Sequence, residues 1–136
     1  MSAGYSGTPL AKKLGIKPGS TVLTIAAPDD YPAWIAPLPE NTALTDRVSK
    51  SGCDIVHVFV ATRAELEKIL PKARAAMKND GAIWVSWYKK SSGIATDVTE
   101  DAIRGLALAT DLVDVKVCAV TDIWSGLKLV VRKHLR

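Results

Sequence analysis

Cysteine and histidine, the side chains that most often announce a metal or redox site, are nearly absent from this chain. Cys53 and Cys118 are its two thiols, and they stand without metal or redox spacing. That excludes a disulfide framework and reads as two reduced, partly buried cysteines in a cytoplasmic protein. His57 and His134 are its two histidines, so no metal ligand set is expected. No apolar run approaches the ~20 residues of a bilayer crossing. The N-terminus also lacks the apolar region of a signal peptide, so the expectation is a cytoplasmic protein with no membrane contact. No serine sits in a nucleophile elbow, and no phosphate loop is present. Charge of one sign is only slightly in excess, at +4. Basic residues gather at Lys12, Lys13 and Lys17, at Lys89 and Lys90, and at Arg132, Lys133 and Arg136. This reads as a solubility surface rather than a nucleic-acid interface.

What is present is an ordinary soluble composition, 48% apolar and 24% charged, in a chain of 136 residues. That length suits a single domain over 1–136 with a real core, and residues 1–7 read as a poorly ordered arm. The stretch from Asp54 to Trp87 organises the rest. Ile55 to Val60 is a short apolar run rich in β-branched residues, broken only by His57, as in a strand covered on both faces. Thr62 and Glu65 form a capping box. Leu66, Ile69, Leu70, Ala73 and Met77 then follow at helical spacing as one apolar stripe. Pro71 should kink or restart that helix. Asn79-Asp80-Gly81 stops it, and Ala82 to Trp87 begins the next strand. The whole is a right-handed βαβ unit.

The flanks extend this α/β pattern. Thr8 can cap a short helix with Pro9 at its first position, ended by Gly15. Thr21 to Ala27 reads as a central parallel strand. Between Asp29 and Glu40, Pro32, Pro37 and Pro39 leave room for one irregular turn around Trp34. Residues 42–46 read as a short edge strand, linked through Arg47 to Cys53 into the central unit. Beyond Trp87 comes a polar loop. Asp97 with Glu100 should then cap a helix running to about Ala109, packed closely on the sheet at Gly105. Leu112 to Val120 alternates Val113, Val115, Val117 and Ala119 against Asp114, Lys116 and Cys118. Leu127 to Lys133 returns antiparallel.

Two resemblances attach to these residues. GYSGTPLAKKLGIKPG near the start, WIAPLPE after the first strand and VCAVTDIWSGLKLVVRK near the end resemble a family of small bacterial proteins known as a domain of unknown function. The second resemblance is architectural. KPGSTVLTIAAP, then DIVHVFV, a helix and MKNDGAIWVSW, then TEDAIRGLALATDLVDVKV and KLVVRK resemble the frame of class I S-adenosylmethionine-dependent methyltransferases. The resemblance implies a last strand inserted antiparallel between the two before it. It also implies a glycine-rich cofactor turn after the first strand, where this chain has Ala26-Ala27-Pro28-Asp29-Asp30 and no glycine. Asp46 stands where an acidic residue would hold the ribose, and the segment for a third strand is missing.

The expected fold is therefore an abbreviated three-layer, Rossmann-like α/β domain with a mostly parallel sheet of five or six strands. Ligands of such sheets gather outside the carboxyl ends of the strands. That edge should carry Asp29, Asp30, Tyr31, Trp34, Trp87 and Lys89 as one shallow cleft for a small zwitterionic or nucleotide-like ligand. His57 reads as a hydrogen-bonded core histidine. The first functional reading is a non-catalytic or regulatory binding protein that takes a small-molecule ligand and no cofactor. The alternative is a small-molecule S-adenosylmethionine-dependent methyltransferase with an altered turn. A homo-oligomeric structural module is a further alternative, with Trp34, Trp124 and a Leu127-Leu129-Val131 hairpin face as its contact.

Overall fold

The computed structural model describes residues 9–48 and 50–136. The arm expected over residues 1–7 and the cap expected at Thr8 lie outside the described residues. The elements in chain order are α1 (Leu10–Lys13), β1 (Thr21–Ile25), α2 (Tyr31–Ile35), β2 (Ala43–Thr45) and β3 (Cys53–Phe59). They continue with α3 (Arg63–Ala76), β4 (Met77–Tyr88), α4 (Glu100–Leu108), β5 (Leu112–Ala119) and β6 (Trp124–Val131). The strands form one sheet in the order β2-β1-β3-β4-β6-β5. β1 pairs in parallel with β2 and β3, and β3 with β4, while β6 lies antiparallel between β4 and β5. The mostly parallel, Rossmann-like sheet and its inserted last strand are thus as the sequence implied.

Two apolar clusters cover the two faces of the sheet. On one, Leu66, Leu70 and Ala73 of α3 and Ile103 and Ala107 of α4 meet Val56, Val58, Ile83, Val85, Leu127 and Leu129. On the other, α1 and α2 bring Leu10, Leu14, Tyr31 and Ile35 onto Val22, Ile55, Phe59, Trp84 and Trp124. The near-continuous apolar pattern of β3 follows from this cover on both sides. Trp84, fully buried, donates its Nε1–H to the Leu14 carbonyl at 3.0 Å and so ties the end of α1 to the middle of the sheet.

Helix α3 starts as its sequence predicts. The Thr62 hydroxyl accepts from the Glu65 amide at 3.1 Å, and Glu65 Oε1 accepts from the Thr62 amide at 3.0 Å. The helix does not restart at Pro71, which stays inside one continuous run of 14 residues. After it, Met77 already pairs with Cys53, and the register then jumps to Ile55 opposite Ala82. The expected stop at Asn79-Asp80-Gly81 is therefore a bulge within β4. Helix α1 begins one residue after Pro9 and has no side-chain cap. Helix α4 is capped by Thr99, whose hydroxyl accepts from the Ala102 amide at 3.1 Å, and not by Asp97. Asp97 Oδ1 accepts instead from the Arg63 amide at 2.8 Å, which joins the starts of α3 and α4.

Three further expectations are corrected. Gly105 is exposed and meets no neighbour within 4 Å where a Cβ would stand, so it marks no close approach to the sheet. A bulge between Asp114 and Lys116 breaks the alternation of β5. Asp114 therefore faces α4, where it accepts from Arg104 at 3.0 Å, and Val115 and Val117 stand about half exposed. The hairpin face offered for self-association is core, since Leu127, Leu129 and Val131 are all at most 1% exposed. Trp124 lies on β6 and is buried, and Trp34 lies on α2.

Candidate functional site

At the carboxyl edge, β1 ends at Ile25 and the chain turns through Ala26 with φ 60°. A left-handed alanine is uncommon, and glycine is the usual occupant of such a turn. The turn continues through Pro28, whose carbonyl accepts from the Tyr31 amide at 3.0 Å. Asp29 and Asp30 point to solvent. Asp30 precedes α2 without capping it through its side chain.

Tyr31, the first residue of α2, is 1% exposed. Its hydroxyl lies 2.8 Å from His57 Nδ1, and His57 Nε2 lies 2.7 Å from Ser86 Oγ. His57 and Ser86 are fully buried. Burial drives the His57 pKa down from 6.5 to about 3, so the ring is neutral, and burial likewise pushes the Tyr31 phenol up. A neutral imidazole has one N–H, so where Nε2–H donates to Ser86 Oγ, Nδ1 accepts the Tyr31 O–H. The Ser86–His57 spacing is that of a nucleophile and its base. With all three groups sealed from water, however, no substrate atom reaches them, and the chain pins α2 to β3 and β4.

Aromatic rings extend the pin across the edge. Trp34 packs 5.9 Å from Tyr31 and 6.3 Å from Phe59, the last residue of β3, and Phe59 stands edge-on to Trp124 at 4.9 Å. Trp124 stacks on Tyr88 at 4.1 Å. Gly126, opposite Ser86 in the ladder, leaves this layer its room, because a Cβ there would stand 3.0 Å from Val120 and 3.2 Å from Trp84.

The six residues read from the sequence do not form one arrangement. Tyr31 and Trp34 pack on the α1–α2 face, whereas Trp87 packs against the α3–α4 face. Among the described residues, neither Asp29 nor Asp30 forms a salt bridge with Lys89. Trp87 and Lys89 instead line a groove of 580 Å³ with Lys90, Thr96, Glu100 and Ser125. His57 is the hydrogen-bonded core histidine that its strand position suggested. Ser86, its partner, was not legible as such, because the pairing depends on the register between β3 and β4. Among the described residues, no group of three or more His, Cys, Asp and Glu side chains is placed to hold a metal ion.

This strand order, with its inserted antiparallel strand, is a class I methyltransferase-like fold, and solved structures agree. A SAM-dependent methyltransferase from Aquifex aeolicus superposes with a TM-score of 0.66 at 13% identity, over 90% of this chain and 88% of that one. Fibrillarin from Aeropyrum pernix, with natively bound S-adenosyl-L-methionine, gives 0.61 at 11% identity, over 93% and 70%. LepI in complex with SAM gives 0.54 at 15% identity, over 90% of this chain but 39% of its own. At these identities the likeness is one of fold. No curated protein matches the sequence. The chain belongs to the family described as "Protein of unknown function (DUF3052)", whose model matches residues 11–133.

Proposed function

We infer that this chain is a non-catalytic binding protein, built on a methyltransferase-like frame whose cofactor crevice is closed from within. The Tyr31–His57–Ser86 chain carries the reading. A loop that serves a cofactor at this position must approach it with bare backbone, which is why glycine is used there. Here alanine and proline occupy the loop, Tyr31 is drawn into the core, and Trp34 is held against Phe59. Asp29 and Asp30 form the solvated rim of the closed side. The open side is the groove at Trp87 and Lys89, where an aromatic wall and a lysine face Glu100. Such a surface suits a small zwitterionic or nucleotide-like molecule. An NMR fragment screen is expected to move the amide signals of Trp87, Lys89 and Ser125 while leaving those of residues 26–34 in place. Shifts centred on residues 26–34 would mean that the crevice is open, and would sink this reading.

One observation favours methyl transfer instead. Ala26 keeps a left-handed turn directly after β1, and Asp46 directly follows β2, where the frame places its ribose-binding carboxylate. Under that reading the altered turn still admits S-adenosylmethionine.

A further inference from the structure

A groove at the amino edge of the sheet, and the β5–β6 ladder beside it, hold positive charge that no salt bridge among the described residues balances. The β5–β6 ladder sets Lys116 directly opposite Lys128, and the β4–β6 ladder sets Lys128 beside Trp84. Like charges directly opposed across an antiparallel pair weaken it. Lys116 Nζ nevertheless lies 5.9 Å from the centre of the Trp84 ring, so it is turned onto the α1 side of the sheet rather than away from its neighbour. On that side a groove of 320 Å³ is lined by Lys128, Lys17, Gly15, Ser20, Asp54 and Asp80.

Among the described residues, the salt bridges engage Arg74, Lys78 and Arg104 and none of Lys17, Lys116 and Lys128. Asp54, the carboxylate nearest in role, is already held by the Thr21 amide at 2.8 Å and by Lys78 at 3.1 Å. Asp80 is exposed at the rim. Burial first, then the charges of Lys116 and Lys17, hold the Lys128 pKa below its ordinary value. A partly buried lysine with two cationic neighbours and no carboxylate of its own is stabilised by an arriving anion.

We propose that Lys17, Lys116 and Lys128 form a binding site for a compact, multiply charged oxyanion of the phosphate type. The size of the groove restricts the ligand to small-molecule scale, and Lys17 and Lys128 on its wall, with Lys116 opposite Lys128 in the ladder, call for at least two negative charges. Lys17 precedes β1, and the groove reaches Gly81 and Ala82 at the start of the β4 segment beside β3. The site is therefore at the opposite edge from the closed crevice and stands independently of the binding reading given above.

Calorimetric titration of the full chain with inorganic diphosphate at low ionic strength tests the site, with ADP as a second ligand. Saturable one-to-one binding is expected, weakened at least tenfold by Lys116→Met and by Lys128→Met and unchanged by the double variant Lys68→Met/Lys72→Met on the exposed face of α3. ADP binding no weaker than diphosphate would identify the anion as part of a nucleotide, and weaker binding would identify it as a free anion. Both variants should melt at or above the parent in low salt, because removing one charge relieves the repulsion. Absent saturation, an equal loss in the α3 variant, or a lower melting temperature in both charge variants would each overturn the proposal.

Discussion

Lowering the pH from 6.5 to 4.5 is expected to reduce the unfolding free energy by about 2 kcal/mol through His57, the slope approaching roughly 1.4 kcal/mol per unit only below about pH 6. The ring titrates near 6.5 when unfolded and near 3 when folded. Between those values the unfolded chain binds a proton that the folded protein refuses, so stability is full above 6.5 and falls as the pH drops. The cause is burial, with both ring nitrogens already engaged by Tyr31 and Ser86. Carboxylates act later. Arg74 hydrogen bonds hold Asp111 below its ordinary value, and the Ala61 and Thr62 amides do so for Glu65. For Asp54, burial would raise the pKa, but the Thr21 amide and Lys78 together bring it below. Depressed acids lose their contribution only as the pH falls through and below their unfolded values of 3.8 to 4.5. Urea unfolding at pH 6.5, 5.5 and 4.5 should therefore report mainly the histidine, with Glu65 entering only at the lowest point. The His57→Gln variant, which keeps hydrogen-bonding capacity without a titrating ring, should give a nearly flat profile. A flat profile in the parent would mean that the ring charges inside the fold.

Trp84→Ala is expected to destabilise the protein by about 3–5 kcal/mol, the usual range for emptying a large aromatic site. Trp84 is the largest of the fully buried side chains, and its indole N–H satisfies the Leu14 carbonyl. Losing it leaves a cavity between the sheet and α1 together with an unpaired carbonyl. Against a typical total of about 5–15 kcal/mol, that is enough to lower the melting temperature by many degrees. Trp84→Phe keeps most of the ring and loses only the donor, so about 1–3 kcal/mol is expected, mainly from the orphaned carbonyl. Thermal denaturation should order the three as parent, Phe, Ala. A Trp84→Ala protein within 1 kcal/mol of the parent would show that α1 does not depend on this contact.

What was legible in the sequence was local. The Thr62–Glu65 capping box, the apolar run of β3 and the stripe of α3 are set by neighbours within one or two turns, and the structure carries all three except that Met77, read as the last residue of the stripe, begins β4. Capping by Asp97 failed because Thr99 serves the same purpose two residues later and leaves Asp97 for Arg63. The faces of β5 failed because a bulge shifts the alternation at Val115, and no residue type announces it. The candidate cleft joined residues that strand geometry separates. Tyr88 stacks on Trp124 on the α1–α2 face, so Trp87 beside it must turn to the other. Tyr31 was read as a cleft residue because it lies in the loop beyond the carboxyl end of the first strand. Its burial comes from His57, 26 residues away. Lys116 and Lys128 were invisible as a pair until the β5–β6 register placed them opposite one another.

Closure of the crevice above β1 and β3 is tested most directly by titrating the protein with S-adenosylmethionine and S-adenosylhomocysteine in a calorimeter. With Tyr31 bound to His57 and Trp34 held on Phe59, neither ligand is expected to give saturable heat in the micromolar range. Micromolar affinity for either one, lost on replacing Asp46, would contradict closure and make the chain a cofactor-binding methyltransferase-like protein.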